Sequence, residues 1–331
     1  MGLTIYSDAD AGLDALQHAK VAIIGYGNQG RAHALNLRDS QVSVLIGQRV
    51  GASAEQAKRD GFEPEPIRDA AARADLVILT LPDESASEIY EQEVAPVLRA
   101  GCTLGFVHGF NIHFGLIAPP EDVDVVMVAP KGPGTLLRSL YVEGNGLPSL
   151  LAIHHDASGN AKRTALAWAK GIGATRAAVV ETTFACETET DLFGEQVVLC
   201  GGVSALTKAA FETLVEAGYE PEFAYLECVH ELKQVVDLLY ERGLTGMRDA
   251  ISNTAEYGDL TRGPRVIGDA VRQEMKRILG EIRSGAFAEE WMDEHHRGKE
   301  TFRALHESDV DTPYERAGRI VRGLMPWLVR Q

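Results

Sequence analysis

Short apolar runs alternate with helical patterns between residue 20 and about residue 183 of the chain. Each run is rich in Val, Ile and Leu and is punctuated by Gly or Pro. Nearly continuous apolar strands between helices are typical of a parallel sheet whose two faces are both covered. The pattern therefore predicts an α/β domain with a doubly wound parallel sheet. The runs are KVAIIGYG, QVSVLIGQR, ADLVILTLP, CTLGFVHG, VDVVMVAPKGPG, SLLAIHHD and RAAVVETTF.

After residue 184 the pattern changes to long helices. One helix is predicted to begin with Pro221, a residue suited to the first turn, and to end at Gly243. A second, PRVIGDAVRQEMKRILGEIRSG, is predicted to begin at Pro264. We therefore expect an α/β domain over residues 1–183 and an all-α domain over residues 184–331. The apolar stripe of the first helix comprises Leu226, Val229, Leu232, Val236 and Leu239.

The amino-acid composition limits the kinds of molecule that the protein is expected to bind. The 331 residues carry a net charge of −16, which argues against nucleic acid or an anionic membrane as a partner and suits small-molecule chemistry. Four widely spaced cysteines, without CxxC or zinc spacing, indicate a reducing cytoplasm. The first residues lack the basic and apolar regions of a signal peptide, and no apolar run approaches the roughly 18 residues of a membrane span.

The stretch VAIIGYGNQGRAHALNL carries the spacing GxGxxG at Gly25, Gly27 and Gly30. A predicted strand precedes the glycines and a predicted helix follows them. Glycines in that position allow a tight turn and let the backbone approach a pyrophosphate at the helix N-terminus. The motif predicts a Rossmann-type dinucleotide-binding domain, and the alternative is a glycine-rich turn in an unrelated α/β protein.

The end of the next strand indicates which dinucleotide binds. An NAD site usually has an Asp or Glu there, but the stretch LIGQRVGAS has no acid before Glu55. Arg49 by its charge and Ser53 by a hydrogen bond could hold a 2′-phosphate. The sequence therefore favours NADP over NAD, and the alternative is that Arg49 is an ordinary surface residue.

Three further strand ends carry polar side chains. His108 in HGFNI and Lys131 in APKGPG fall where ligands of doubly wound sheets bind, and both could donate to a substrate oxygen or relay protons. A structural histidine and a solvated lysine are the alternatives. Asp83 and Glu84 in LTLPDE follow another strand, and we expect them to line the cofactor.

Two pairs of acids occur on predicted apolar helices. Asp191 and Glu195 are four residues apart, as are Glu227 and Glu231, so each pair occupies one helix face. Like charges at this spacing destabilise a helix unless they share a cation. Carboxylates without nearby Cys or His favour Mg²⁺ or Mn²⁺ over zinc. The alternative is that each pair is half-exposed, capped, or neutralised by a lysine such as Lys233.

Taken together, the motifs closely resemble those of the ketol-acid reductoisomerases, also called acetohydroxyacid isomeroreductases. They follow in order from residue 25 to residue 259, and the chain length resembles the short form, class I, of that family. The resemblance implies that the C-terminal helical domain is knotted. The matching stretches are GYGNQGRAHALNLRDS, LPDE, HGFNI, APKGPG, ETETDLFGEQVVLCGG, ECVHELK and ISNTAEYGD.

The resemblance implies a reaction of two steps at one site, in the biosynthesis of branched-chain amino acids. Mg²⁺ would promote an alkyl migration in 2-acetolactate or 2-aceto-2-hydroxybutyrate. NADPH would then reduce the product to an (R)-2,3-dihydroxy acid. Two Mg²⁺ ions could polarise the ketone and favour the deprotonated hydroxyl, which is the help that such a migration needs.

The resemblance also implies roles for residues. Asp191 and Glu195 would be ligands of two Mg²⁺ ions per active site, with Asp191 bridging the ions. Glu227 and Glu231 would complete the metal site, with Glu231 assisting proton transfer. His108, Lys131 and Glu231 would be catalytic, and Ser252 would hold the substrate carboxylate. The cofactor would contact Gly25, Tyr26, Gly27, Asn28, Gln29, Arg49, Ser53, Asp83, Glu84, Ser85, Ala86 and Gly134.

In the family that the chain resembles, Glu227, Glu231 and Ser252 come from a partner subunit. This implies an obligatory homodimer with a shared site, within an assembly of unspecified size. The sequence departs from the family pattern at Asn28, Ala86, Thr135 and Cys186. The first three touch the cofactor surroundings, and the loop GQRVGAS is short, so some use of NADH is expected.

Two other functions explain part of the pattern. A plain NADP-dependent hydroxyacid dehydrogenase would account for the glycine motif, Lys131 and the helical domain, but it needs neither the acid pairs nor Mg²⁺. A nucleotide-sensing module would bind NADPH without turnover and would require a partner protein.

Overall fold

The computed structural model describes residues 2–328. Within these residues the chain divides into two units, of which the first ends at Thr190 and the second begins at Asp191. The first unit contains a sheet of nine strands in the order β1-β9-β8-β7-β6-β5-β2-β3-β4. The strands are β1 (Ile5–Tyr6), β2 (Lys20–Ile24), β3 (Ser43–Gly47), β4 (Pro64–Glu65), β5 (Leu76–Leu79), β6 (Thr103–Phe106), β7 (Asp124–Pro130), β8 (Ser149–His155) and β9 (Val179–Glu181).

All of the predicted apolar runs form strands. Across the sheet, the neighbouring strands in the order β4-β3-β2-β5-β6-β7 pair in parallel. The predicted parallel pairing holds for these strands, and the sheet as a whole is mixed. Strand β8 is antiparallel to β7, and β1 is antiparallel to β9. An apolar run shows that both faces of a strand are buried but does not encode its direction. Strands β1 and β4 have two residues each, too few to show a pattern.

The helices of the first unit cover both faces of the sheet. Alternate residues of β2 lie in different cores: Val21 and Ile23 pack with Trp168, whereas Ala22 and Ile24 pack with the opposite cluster. A strand buried on both faces has no polar alternation, as the sequence shows. The helices are α1 (Asn28–Asp39), α2 (Ala52–Arg59), α3 (Ile67–Arg73), α4 (Asp83–Ile89), α5 (Phe110–His113), α6 (Gly134–Val142) and α7 (Ala161–Gly171).

Helix α8 (Phe184–Gly194) begins in the first unit, and the helices of the second unit follow it. Two π-helical segments, Glu195–Leu199 and Leu226–His230, extend α8 and precede α11. A small core forms around Phe211 and Tyr225. The remaining helices are α9 (Gly201–Glu216), α10 (Pro221–Tyr225), α11 (Glu231–Arg248), α12 (Asn253–Val266), α13 (Asp269–Ser284), α14 (Ala286–His296), α15 (Glu300–Asp309) and α16 (Pro313–Gly323).

The predicted helix ends are right in part. Gly243 has the positive φ of a break, but helical structure resumes after it and runs to Arg248. The start predicted at Pro264 is wrong, because this proline lies near the end of α12 and the next helix begins at Asp269. That helix ends at Ser284, and Gly285, the last residue of the predicted stretch, follows it in the left-handed conformation.

The helical segment Phe184–Glu216 is long and apolar enough to cross a membrane by length and composition alone. Only 11% of its most apolar window is buried within the chain. Core helices of soluble proteins pass the same test, so this is weak evidence for a membrane span. The exposure of the segment shows instead that an apolar surface stays uncovered by the chain itself.

Candidate active site

The glycine turn connects β2 to α1. Gly25 has a φ of 95°, and a Cβ there would stand 2.9 Å from the carbonyl oxygen of Thr80. A Cβ on Gly30 would stand 2.3 Å from the carbonyl oxygen of Gly25. At Gly27, by contrast, no described atom outside its two chain neighbours lies within 4 Å of that position. The backbone at Gly27 is therefore open to a ligand, while the other two glycines are required by the packing of the turn.

Helix α1 begins directly after Gly27 without a side-chain cap or an acid in its first turn. Its first N–H groups are thus suited to an anion such as a pyrophosphate. The segment before α6 approaches the same turn. Gln29 Nε2 donates to the carbonyl oxygen of Gly132 at 2.9 Å. A Cβ on Gly134 would stand 2.1 Å from the carbonyl oxygen of Asn28, so only glycine fits at residue 134.

Residues 83–86 form the first turn of α4, directly after β5. Because β5 pairs in parallel with β2, this turn lies at the same edge of the sheet as the glycine turn. Asn111 Nδ2 donates to the carbonyl oxygen of Asp83 at 3.1 Å, and Ser85 Oγ donates to that of Pro82 at 3.2 Å. Ala86 is buried. The turn is fixed by these contacts at the expected cofactor edge.

A cavity of about 310 Å³ lies at the carboxyl end of β3. Arg49 and Lys58 bring positive charge to it, and Lys58 is paired with Glu55 at 2.8 Å. Ser53 lies in the first turn of α2 and is not among the described residues that line the cavity. The lining comprises Gln48, Arg49, Val50, Ala54, Glu55, Lys58, Pro64, Glu65, Pro66, Ile67 and Glu93.

His108 and Lys131 come from the ends of two neighbouring parallel strands and contact one carboxylate, Glu187 of α8. Lys131 Nζ lies 2.7 Å from Glu187 Oε1, and His108 Nδ1 lies 3.1 Å from Glu187 Oε2. The N–H of Gly109 donates to Oε2 at 3.0 Å. We call His108, Lys131 and Glu187 the Glu187 cluster. Neither His108 nor Lys131 is an isolated surface group.

The carboxylate at the centre of the Glu187 cluster is 1% exposed. Burial alone would raise its pKa. The hydrogen bonds and charges of His108 and Lys131 outweigh burial and lower the pKa of Glu187 to about 2. An ionised, buried carboxylate therefore orients an imidazole and an ammonium group. Such an arrangement can hold an oxygen of a substrate and move protons to or from it.

Sequence reasoning missed Glu187, although a signal was present. It precedes Asp191 by four residues, as Asp191 precedes Glu195, so the acids form a run of three at one helical spacing. The run suggests that all three carboxylates face one side of the helix. Glu187 is the buried member, whereas Asp191 is half-buried and Glu195 is exposed.

The second acid pair lies at a similar helical irregularity. Glu195 begins one π segment, Glu227 lies in the other, and Glu231 begins α11. Glu227 and Glu231 are exposed. Within the described part of the second unit, no three His, Cys, Asp or Glu side chains bring possible ligand atoms together. Lys233 is paired with Asp237 at 2.5 Å.

Ser252 is the N-cap of α12. Its Oγ accepts a hydrogen bond of 3.2 Å from the N–H of Ala255, and the residue is exposed. This contact stabilises the helix start. It also places the hydroxyl at a helix N-terminus, where a carboxylate ligand is favoured.

The nine-stranded sheet, its glycine turn and the polar side chains at its strand ends define an NAD(P)-binding oxidoreductase. Two family models match the chain. Residues 15–178 match the NADPH-binding domain of acetohydroxy acid isomeroreductase, and residues 184–327 match the C-terminal domain of ketol-acid reductoisomerase. The chain therefore belongs to the ketol-acid reductoisomerase family, as its motifs predicted, and its length fits the short form.

Solved structures agree with this assignment. The chain is 47% identical to an NADH-preferring ketol-acid reductoisomerase from an uncultured archean, with a TM-score of 0.95. The match covers 98% of this chain and 99% of that one. A semialdehyde dehydrogenase NAD-binding protein from Cupriavidus necator is 20% identical with a TM-score of 0.62, over 80% of this chain and 99% of that one. The second likeness concerns the fold alone.

The comparisons confirm that the chain is an NAD(P)H-dependent oxidoreductase with an N-terminal Rossmann-like domain and a helical C-terminal domain. They favour the isomeroreductase over both the plain hydroxyacid dehydrogenase and the nucleotide-sensing module.

Proposed function

We propose that the chain converts 2-acetolactate or 2-aceto-2-hydroxybutyrate into the corresponding (R)-2,3-dihydroxy acid, in the biosynthesis of valine and isoleucine. The observation that carries the proposal is the Glu187 cluster. Alkyl migration and carbonyl reduction both move a proton at an oxygen next to a carboxylate-bearing carbon. A buried anion that orients an imidazole and an ammonium group meets that need.

The acid pairs fit magnesium by donor chemistry. Asp191, Glu195, Glu227 and Glu231 offer hard carboxylate oxygens, and the last three are exposed to a ligand. When bound at these carboxylates, two Mg²⁺ ions would supply Lewis-acid stabilisation of the ketone and the deprotonated hydroxyl. The protein's own share is orientation of the substrate. Ser252, at the start of α12, would hold its carboxylate, with Glu231 assisting proton transfer.

The nicotinamide cofactor, when bound, would supply the hydride for the second step. We place its pyrophosphate at the open backbone of Gly27 and its adenosine end at the cavity beside Arg49. The turn at residues 83–86 would line it from β5. His108 and Lys131 would hold the carbonyl oxygen and deliver a proton to it as it is reduced.

Arg49 supports NADPH as the preferred cofactor, because its charge lies in the cavity where a 2′-phosphate would bind. The NADH preference of the archaeal relative argues for measuring both cofactors. Exchanging Arg49→Asp should raise the KM for NADPH about tenfold or more and change that for NADH little. An unchanged KM for NADPH would show that the assignment of Arg49 is wrong.

We propose that the working form is a homodimer with a shared site. Glu227, Glu231 and Ser252 are exposed, and many large apolar side chains of the second unit are uncovered as well. A second copy would cover this surface and bring the second acid pair to Asp191. The exposed apolar residues include Val198, Leu199, Phe223, Val236, Tyr240, Leu244 and Leu260.

Mixing two inactive variants tests the shared site. Asp191→Asn and Glu227→Gln should each abolish turnover, and heterodimers formed by joint refolding should regain part of it. Mixtures of each variant with itself, refolded in the same way, are the control. No recovery in heterodimers whose formation is verified by native mass spectrometry would argue against a shared site.

The function itself is tested by NADPH and NADH oxidation with 2-acetolactate, with Mg²⁺ or with a chelator. Turnover that requires Mg²⁺ and yields the dihydroxy acid would support the proposal. Absence of turnover by a folded protein that binds the cofactor would refute it. The four cysteines are unpaired, which fits a reducing compartment, and we propose a cytoplasmic location on that ground.

A further inference from the structure

Tyr26, within the glycine turn, contacts both ends of the segment 48–60. Its N–H donates to Gln48 Oε1 at 2.9 Å, and its hydroxyl donates to Asp60 Oδ2 at 3.0 Å. Gln48 directly precedes Arg49, and Asp60 directly follows the last residue of α2. One residue of the turn therefore holds the segment at its beginning and at its end.

Asp60 is the more strongly bonded of the two ends. Its carboxylate receives a bidentate pair from Arg31 of α1, with Nε at 2.7 Å and Nη2 at 2.9 Å. Gln56 Nε2 donates to the same group at 3.1 Å, and Arg38 Nη1 donates to the backbone oxygen of Asp60 at 2.5 Å. The first helix after the glycine turn is thus bonded directly to the end of α2.

At neutral pH the Asp60 carboxylate is ionised and the Tyr26 hydroxyl keeps its proton, so both groups suit these bonds. The hydrogen bond from Arg31 lowers the pKa of Asp60 to about 2, against the opposing effect of burial. Burial raises the pKa of Tyr26, and the nearby Asp60 carboxylate raises it further, so its hydroxyl remains a donor. Charge-assisted bidentate bonds of this kind are both stronger and more specific in geometry than neutral ones.

Packing restrains the Tyr26 and Asp60 side of this network, whereas the Arg31 side chain is 47% exposed. Tyr26 is 3% exposed, and its ring meets that of Phe62 edge to face with centroids 5.9 Å apart. Arg38 lies over Phe62 at 4.8 Å from the ring centroid. The Asp60 side chain is 12% exposed. A fully exposed ion pair on the surface of the first unit contributes little to stability, because solvent screens its charges.

We propose that Asp60 is a positioning residue for the adenosine end of the nicotinamide cofactor. The pyrophosphate and the adenosine ribose are joined covalently, so their two binding elements must stand at one separation. Asp60, through Tyr26 and Arg31, sets that separation between the glycine turn and the segment that carries Arg49. Preorganisation of this kind increases affinity without a direct contact. The inference rests on the proposed placement of the cofactor.

The test compares two carboxylates with the same kind of partners. Glu181 accepts a hydrogen bond of 2.6 Å from the Tyr6 hydroxyl and lies 2.8 Å from Lys162 Nζ, but it belongs to β9. Asp60→Asn and the control Glu181→Gln each replace such a carboxylate by its amide. Dissociation constants for NADPH, NADH and adenosine 2′,5′-bisphosphate are measured by fluorescence titration. The value of kcat is measured at saturating cofactor.

Asp60→Asn should raise the dissociation constant of the preferred cofactor about tenfold and leave kcat within about twofold. The loss should also be seen with adenosine 2′,5′-bisphosphate if the wild type binds it. Glu181→Gln should lower the melting temperature by about as much as Asp60→Asn does. It should leave the cofactor dissociation constants within about twofold of the wild-type values. Tyr26→Phe, which conserves volume, should raise the cofactor dissociation constant about threefold and serves if Asp60→Asn does not fold.

Unchanged dissociation constants in Asp60→Asn and in Tyr26→Phe would overturn the inference. An equal rise in Glu181→Gln would overturn it too. A loss confined to kcat would overturn it as well. A wild type that binds neither NADPH nor NADH would refute the proposed cofactor placement itself, and that failure is visible before any variant is compared.

Discussion

Replacing Glu187 by glutamine keeps the size of the side chain but removes the only formal negative charge that we assign to the Glu187 cluster. Glutamine can still accept one hydrogen bond from Lys131 or from the N–H of Gly109. It cannot balance the positive charge of the lysine. The substitution therefore measures how strongly the cluster depends on an ionised carboxylate.

The size of the effect follows from the pKa of Glu187. A value of about 2, against the ordinary 4.5, favours the ionised form in the folded protein by about 3 kcal/mol. Because the carboxylate is 1% exposed, solvent screens little of this energy. Glu187→Gln should thus lower the free energy of unfolding at pH 7 by about 3 kcal/mol and greatly reduce turnover.

The sign of the pH dependence is set by the direction of that shift. The pKa of Glu187 is lowered on folding, so its contribution is complete above pH 4.5 and is lost as pH falls toward 2. The difference in unfolding free energy between wild type and Glu187→Gln should therefore shrink by about 1.4 kcal/mol between pH 7 and pH 3.5. Urea unfolding followed by tryptophan fluorescence measures both quantities.

Glu189→Gln is the matched control, because it makes the same chemical change on the same helix at a more exposed position, near His113. It should cost less than about 1 kcal/mol at pH 7. A cost below about 1 kcal/mol for Glu187→Gln, or a cost that does not change between the two pH values, would refute the electrostatic reasoning.

Three further changes test other parts of the structure. His33 is fully buried, and burial lowers its pKa to about 3. The free energy of unfolding therefore decreases as the pH falls from about 6.5 toward 3. Between pH 7 and pH 5, wild type should lose about 2 kcal/mol more than His33→Asn, measured by urea unfolding. Gly134→Ala, with its Cβ 2.1 Å from the Asn28 oxygen, should weaken NADPH binding about tenfold or more by titration. Gly202→Ala, with its Cβ 1.9 Å from the Val197 oxygen, should disturb the π segment and weaken Mg²⁺ binding about tenfold by calorimetry.

Each of these changes has a control on the same chain. His18→Asn makes the same substitution at an exposed histidine and is the control for His33→Asn. Ser139→Ala removes an exposed hydroxyl of α6 and should leave NADPH binding unchanged. Gly194→Ala adds a Cβ whose nearest neighbour is 3.8 Å away and should preserve Mg²⁺ binding. Equal effects in a variant and its control would contradict the corresponding reasoning.

Local sequence patterns predicted much of the fold. Every long apolar run of the first domain became a strand, and the glycine turn followed β2 as its spacing predicted. These features depend on neighbouring residues, so the sequence displays them directly. Strand direction did not follow from the same runs, because a buried strand looks alike whether its neighbour is parallel or antiparallel.

Helix ends show the same limit. Gly285 ends α13 because a left-handed residue is needed there and glycine supplies it locally. Pro264 instead lies near the end of α12. A proline marks a boundary in either position, and packing decides which one applies. The π segments Glu195–Leu199 and Leu226–His230 carry no periodic signal of their own, so the sequence did not predict them.

The sequence by itself determined the dinucleotide turn, the order of strands and helices along the chain, and the family, because each depends on residue types at fixed spacings. The tertiary structure alone decided that His108 and Lys131, 23 positions apart, meet on Glu187, which is a further 56 positions along the chain. It also decided that Tyr26 bonds to both ends of the segment 48–60. Such contacts join strand ends and helices that only the folded sheet brings together, and their bonds are strong because folding removes the carboxylates from water.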